Sequence, residues 1–352
     1  MSVTASSADV IVLAPRTIES YYADGNWKDV RGINLLLSAL SKRALHHTFE
    51  RGDPEVVMDV VQPSTTDLIV YFSWWPKLLR RLRRDAPWVR LHVRAVNAEA
   101  FQHWHRSKVH PARLWESARV AYGVMRMAER DLACRRIADT LLGISEWDNR
   151  HYWSWLPGRA PVLDMPYFSP WPELRPQVRP LLWESRRPVV LTMPGESDRI
   201  GLASQRNFRW LADSFESAGL GRRWEFVLSP GYPGFDDVAR ANPDPPLRPY
   251  SGLFEPWDAL CSVRAVAVLT PFGFGTKTTV FDAIAAGCHV LLDARLARRM
   301  PAEVRARCIA LRCGEPIDAV ALGERLSIPP DSADLHAAIR LKALDGLRTA
   351  LG

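Results

Sequence analysis

Apolar residues in this chain come in short blocks. DVIVLA (9–14), EVVMDV (55–60), DLIVYF (67–72), VRLHV (89–93) and TLLGIS (140–145) form a first set. RPVVLTM (187–193), WEFVLS (224–229), AVAVLT (265–270), HVLLD (289–293) and CIALRC (308–313) form a second. Blocks this short and rich in Val, Ile and Leu fit parallel strands buried on both faces. Helical periodicity fills the intervals, at 28–45, 112–138, 204–217, 276–287 and 334–350. Strands alternating with helices require crossover connections, which predicts an α/β protein built of doubly wound sheets.

The two sets are parted by 161–188, which holds seven prolines. Proline removes a backbone donor and forces its predecessor out of helix, so the stretch reads as an extended linker. The predicted organisation is a first domain over 1–172, a linker over 173–186 and a second domain over 187–330. A length of 352 residues suits two such domains, and 47% apolar content lets each build a core.

Charge narrows the partners without naming one. The chain carries 46 basic and 39 acidic residues, a net charge of +7. That balance attracts anions: nucleic acid, phosphorylated small molecules or acidic lipid. The five cysteines are scattered with no CxxC pair. This favours a reducing compartment over a disulfide framework or a zinc site. The start of the chain has no basic n-region, and no run reaches the roughly 20 apolar residues that span a bilayer. The expected location is cytoplasmic.

Candidate chemistry concentrates in PFGFGTKTTVFDAIAAGCHVLLD (271–293). A strand ends at Thr270, a glycine-bearing loop follows, and a helix is expected to begin near Thr276. Val280, Ile284 and Cys288 lie four apart on its apolar face. A helix start leaves N–H groups unpaired and carries partial positive charge. Gly273 and Gly275 permit close approach of a ligand, and Lys277 adds a full charge, which together describe an anion site suited to phosphate. The alternative is a glycine turn whose Thr276 merely caps the helix. The spacing matches neither a P-loop nor a dinucleotide fingerprint.

GFGTKTTVFDAIAAGCHVLLD resembles the signature of GT-B glycosyltransferases, in particular the large retaining family of bacterial sugar-nucleotide transferases. The resemblance implies two Rossmann-like domains with the donor on the C-terminal one, the acceptor on the N-terminal one and the active site between them. It implies that Gly275, Thr276, Lys277 and Thr278 face the donor's diphosphate and that Asp282 reaches its ribose. Three further segments resemble the same family. MPGESDRIGLASQRNFRWLADSF (193–215) supplies Gly195 at a turn and the pair Arg206-Asn207, whose arginine is implied to meet the diphosphate from the other side. VRAVNAEAFQHW (93–104) implies that Arg94, Asn97 and Glu99 line the cleft as the catalytic set. AERDLACRRIADTLLGISEWD (128–148) places Ser145 and Glu146 at the carboxyl end of a strand. The sequence departs from the pattern at Val96, where a histidine is common, at Glu196, Phe274 and Thr279, and in the shorter acid at Asp282. The final helix, 331–352, is implied to pack back toward the first domain.

The resulting expectation is transfer of a sugar from a nucleotide-diphosphate donor to an acceptor hydroxyl, with no cofactor and no metal. A glycan or lipid-linked acceptor in bacterial polysaccharide or other glycoconjugate synthesis fits it. A nucleotide-sugar epimerase on the same fold and a non-catalytic sugar-nucleotide-binding protein are the alternatives. WWPKLLRRLRRDAPWVR (74–90) interleaves basic and aromatic residues. It reads as a helix lying on an anionic membrane or a solvated helix with a core face; nucleic-acid binding is the weakest of its readings.

Overall fold

The computed structural model describes residues 8–352 apart from 20–23, 51–58, 73–74, 110–113, 195–198, 241–245, 272–275 and 332–333. Chain contacts divide it into two compact units. One comprises Met1–Pro170, Phe274–Thr276 and Ile339–Gly352; the other comprises Trp171–Gly273 and Lys277–Ala338.

The first unit is a six-stranded parallel sheet. Its strands are β1 (Val10–Pro15), β2 (Ala44–Phe49), β3 (Asp67–Tyr71), β4 (Arg90–Ala95), β5 (Thr140–Gly143) and β6 (Val162–Asp164), in the order β2-β1-β3-β4-β5-β6. The helices among them are α1 (Gly25–Ala39), α2 (Pro76–Asp85), α3 (Glu99–Val109), α4 (Leu114–Ile137) and α5 (Glu146–His151). β1 and β3 are buried at every position, as the apolar runs Val10–Pro15 and Leu68–Tyr71 require when helices cover both faces.

One expectation changes here, and another falls mainly outside the described residues. The helix foreseen over 28–45 stops at Ala39, Ser41 takes a left-handed φ of 55°, and the chain re-emerges as β2. β2 reads ALHHTF and lies half-exposed at the sheet edge, so it carries no apolar block. Parallel pairing with β1 makes it a strand, which is tertiary context overriding local pattern. The strand foreseen at 55–60 falls mainly on 51–58, outside the described residues, and 59–60 form a turn.

The second unit repeats the architecture with β7 (Arg187–Leu191), β8 (Glu225–Leu228), β9 (Leu247–Pro249), β10 (Val263–Val268), β11 (His289–Asp293) and β12 (Ile309–Leu311). These strands are parallel and ordered β12-β11-β10-β7-β8-β9. Its main helices are α6 (Arg199–Ser217), α7 (Pro256–Ser262) and α8 (Thr278–Ala285). Phe208, Leu211 and Phe215, spaced by three and four along α6, bury one stripe of that helix in a core shared with Phe226 of β8.

The proline-rich segment from Trp171 onward packs on the second unit instead of spanning a gap. Val178 offers its carbonyl to the Trp257 indole at 3.0 Å, and Leu181 N–H donates to the Cys261 carbonyl at 3.0 Å. Arg175 pairs with Glu255 at 3.2 Å and Asp258 at 3.0 Å at the start of α7. Prolines leave carbonyls free to accept, and the indole of α7 uses one.

A last helix, α9 (Leu335–Leu351), ends in the first unit. Gly346 makes its close approach possible: a Cβ there would lie 2.3 Å from the Asp164 carbonyl oxygen. Arg90 donates to the carbonyl of Leu351 at the end of the same helix.

Candidate functional site

In open parallel sheets ligands bind beyond the carboxyl ends of the strands, where the strand order reverses. In the second unit that point lies between β7 and β10, because β8 and β9 continue on one side and β11 and β12 on the other. Both segments singled out for the donor emerge there. After β7 the chain runs through Thr192 to Pro194 and, past undescribed residues, into α6. After β10 it runs through Leu269 to Pro271 and resumes at Thr276 ahead of α8.

Three side chains define this end of the sheet. The Asn207 amide donates to the Leu269 carbonyl at 2.8 Å, which ties α6 to the chain leaving β10. Thr192 is buried, and its hydroxyl accepts from the Ser229 N–H at 3.2 Å, joining the ends of β7 and β8. Lys277 occupies the N-cap position of α8 with φ −80° and ψ 96°, and its side chain makes no capping hydrogen bond. The amides of the first turn are thus left without a side-chain partner from the cap residue, next to a half-exposed ammonium. A helix start of this kind favours an anion by about 0.3–1 kcal/mol per charge when exposed, rising to about 2 when partly buried.

The other foreseen donor residues are placed unevenly. Thr278 is the first residue of α8 and half-exposed, and Arg206 is exposed on α6. Gly195 and Gly275 lie outside the described residues. Thr276 corrects the capping alternative: the helix starts two residues later, and Thr276 belongs with Ile144 to the first unit, its hydroxyl donating to the Ile144 carbonyl at 3.1 Å. Asp282 was expected to reach outward, but it is 1% exposed within the buried run Val280–Ile284.

In the first unit the catalytic set separates. Arg94 is 0% exposed and forks onto Asp29 of α1, at 2.8 Å from Nε and 2.6 Å from Nη2. Its Nη1 donates to the Met165 and Leu142 carbonyls, and the Tyr71 hydroxyl donates at 2.7 Å to the Asp29 oxygen that also accepts from Arg94 Nε. Burial, reinforced by the Asp29 charge, holds the Tyr71 phenol protonated far above its usual range. Arg94 is therefore a structural ion pair knitting α1, β3, β4 and the chain after β6, and not a cleft-lining group. Asn97 donates to Glu99 at 3.1 Å, and Glu99 is buried at the start of α3. At the end of β5, Ser145 caps α5 by accepting from the Asp148 N–H at 3.2 Å. Glu146 lies 3.4 Å from Lys342 of α9.

Sequence reasoning missed Asp29, Tyr71 and Phe72. Phe72 follows β3, where this sheet reverses order, and has φ 75°, a conformation that a bulky residue adopts only under constraint. Nothing in the local sequence signals it, since the constraint is its N–H donating to the Arg94 carbonyl on the neighbouring strand.

Of the readings of 74–90, the solvated helix with a core face matches α2. Leu78, Leu79 and Leu82 of α2 are buried in the core, so the helix has no apolar face for a membrane. Arg83 pairs with Asp139 at 2.6 Å, and Arg81 and Arg84 both pair with Asp85. Among the described residues, no group of His, Cys, Asp or Glu is arranged to hold a metal ion, and no helix is long and apolar enough to cross a membrane. The five cysteines are unbridged, and burial pushes the thiols of Cys261 and Cys288 up to about 12.

No protein-family model and no curated protein sequence matches the chain. Solved structures do. A UDP-forming α,α-trehalose-phosphate synthase from Burkholderia xenovorans superposes with a TM-score of 0.59 at 11% identity, over 98% of each chain. An α-glucosyltransferase in complex with UDP-glucose and DNA containing an abasic site gives 0.55 at 12% identity, over 97% of this chain and 95% of that one. Anabaena HepE in complex with UDP and glucose gives 0.54 at 12% identity, over 97% and 94%. The fold is GT-B. At these identities the likeness carries the GT-B architecture and leaves the chemistry to the side chains, which keep a cationic helix start in one unit and a buried ion pair in the other.

Proposed function

We propose that this chain is a glycosyltransferase that moves a sugar from a nucleotide-diphosphate donor to an acceptor hydroxyl. The observation that carries the reading is the meeting, at the strand-order reversal of the second unit, of Asn207 on the Leu269 carbonyl and Lys277 at the start of α8. Among the structural neighbours, one glucosyltransferase is bound to UDP-glucose and HepE to UDP and glucose, which supports a donor of that class.

In this reading the diphosphate lies against the first turn of α8, with Lys277 and Thr278 as its ligands and the exposed Arg206 as a second cation. As the bond to the sugar breaks, negative charge grows on the leaving diphosphate. Lys277 and the helix N–H groups offset it without moving. Gly195 and Gly275 would let the backbone come close, and Asp282 would need to become exposed to reach a ribose. Retention of configuration, independence of metal and a bacterial glycan or lipid-linked acceptor complete the proposal.

The test is incubation with UDP-, GDP- and ADP-sugars. A slow donor hydrolysis is expected with one of them, falling about 100-fold or more in Lys277→Ala, the usual loss for one charge-stabilising donor. NMR of the transferred sugar reads retention, and chelator reads metal dependence. Conversion of the donor to an epimer would replace the transferase reading with an epimerase, and tight binding without turnover would leave a binding protein. If no nucleotide diphosphate raises the melting temperature, the donor site itself is misassigned.

A further inference from the structure

With the apolar face of α2 committed to the core, its exposed Lys77, Arg80 and Arg84 stand as a solvated cationic face, and a second exposed cationic and aromatic surface lies on α3 and α4. α3 and α4 form a helical hairpin. Gly123 of α4 sits where a Cβ would be 3.9 Å from His103 of α3, while Val124, Met127 and Ala128 pack against the core. Among its described side chains, the same hairpin exposes Phe101 at 36%, Trp104 at 50%, Tyr122 at 58% and Met125 at 64%. Tyr122 and Met125 are one turn apart on α4, so they share a face.

The charge on this hairpin is one-sided. Residues 99–137 hold eight basic and four acidic side chains, and two of the four acids, Glu99 and Asp131, are buried. Asp131 accepts from the Tyr152 hydroxyl at 2.6 Å, inside the unit. Among the described side chains of the hairpin, Arg119, Arg126 and Arg136 are exposed against one exposed acid, Glu129, while Arg135 is half-buried and donates to the Trp153 carbonyl at 3.3 Å. Arg126, exposed on α4, lies 6.0 Å from the centre of the Tyr122 ring, which puts a guanidinium and an aromatic body side by side.

We infer that the exposed face of the α3–α4 hairpin seats the protein on an anionic lipid surface. Arginine pairs with headgroup phosphates, while Trp and Tyr settle at the boundary between headgroups and acyl chains. Each basic residue near such a surface contributes on the order of 1 kcal/mol of attraction. Nucleic acid offers phosphates too, but gives no apolar layer to the Met125 thioether, so lipid is the occupant that uses every exposed group. The contact is peripheral, resting on side chains that lie in the interface instead of crossing it. The inference deepens the proposed function, on which it rests for its purpose, because a transferase seated on lipid can take a lipid-linked acceptor.

The test is sedimentation of the full chain with vesicles of phosphatidylcholine containing phosphatidylglycerol, beside vesicles of phosphatidylcholine alone. Binding to the anionic vesicles is expected, weakening as salt rises. Arg119→Glu with Arg126→Glu should lower it about tenfold or more. Trp104→Ser with Tyr122→Ser and Met125→Ser should lower it about tenfold, with the loss persisting at high salt. Lys77→Glu with Arg80→Glu, on α2, should leave it within about twofold. Circular dichroism melts confirm folding; if the triple serine variant is unfolded, the double charge reversal decides. The inference is overturned by absence of sedimentation with anionic vesicles, by hairpin variants that bind like the parent, or by binding to a single-stranded oligonucleotide without binding to vesicles. Donor hydrolysis is assayed separately, without vesicles, so its absence alongside intact vesicle binding sinks only the transferase reading.

Discussion

The first unit's sheet reverses order between β1 and β3, the second's between β7 and β10, and the two places are furnished differently. In the first, a fully buried Arg94 forks onto Asp29, Tyr71 donates to the same carboxylate, and Phe72 holds a left-handed φ. In the second, Lys277 stands half-exposed at a helix start, and Asn207 fixes the chain beside it. One architecture thus presents a sealed, over-determined reversal point and an open, cationic one. Arginine in a motif does not by itself announce a ligand site: full burial with a carboxylate partner makes Arg94 architecture, whereas Lys277 stays half-exposed at a helix start.

The comparison breaks first at Arg94. Arg94→Met should leave Asp29 charged and buried without its partner, a loss of about 3–5 kcal/mol. Urea titration followed by circular dichroism measures it. An Arg94→Met protein as stable as the parent would mean that the first reversal point is not held by this pair. The protein that remains folded should bind nucleotide as the parent does, since the pair belongs to the first unit.

Gly346→Val tests the docking of α9 in that unit. With a Cβ 2.3 Å from a backbone carbonyl, the helix must shift, at a cost of about 1–3 kcal/mol of overpacking. Hydrogen exchange should then speed up in α9 and at Asp164–Met165. Unchanged protection there would refute the close approach.

Asn207→Ala sharpens the second reversal point. Losing the amide bond to Leu269 should cost about 1 kcal/mol of stability, and nucleotide affinity should fall with it because the chain leaving β10 loosens. Isothermal titration separates the two: a stability loss with unchanged affinity would make Asn207 a purely structural tie.

The smallest expected effect is in pH. Burial lowers the pKa of His289 in the second unit and of His46 and His47 in the first. A base whose folded pKa is depressed takes up protons more readily when unfolded. Stability is therefore complete above the ordinary histidine range and declines as pH falls through about 6.5. Asp67 adds a second window confined to the first unit. Burial alone would raise its carboxyl, but hydrogen bonds from His92, Thr66 and Arg90 outweigh that and lower it. Its contribution is present above the usual carboxylate range and is lost as pH falls below about 3.9. Thermal melts from pH 7.5 to 3 should show both steps. His289→Phe should shrink the first, and Asp67→Asn the second; an unaltered profile in either variant dismisses that assignment.

Much of the architecture was legible in the chain. Blocks such as LIVY in β3 and VLL in β11 are apolar because strands covered on both faces have no solvent side, and that signature survives without any knowledge of contacts. β2 was not legible, because an edge strand reading ALHHTF is polar and becomes a strand only through pairing with β1. The candidate site divides the same way. GFGTKTT, by its glycines, lysine and hydroxyls, marked an anion-binding helix start. Neither Thr276 turning to the Ile144 carbonyl nor the burial of Asp282 had a local signal. The amino-acid order determined the α/β periodicity, the net positive charge and the location of a cationic helix start, since each is a property of neighbours along the chain. Tertiary structure alone decided that Arg94 is architecture, that α2 turns its leucines inward and that Trp104, Tyr122 and Met125 face solvent, because burial depends on what the rest of the fold packs against each side chain.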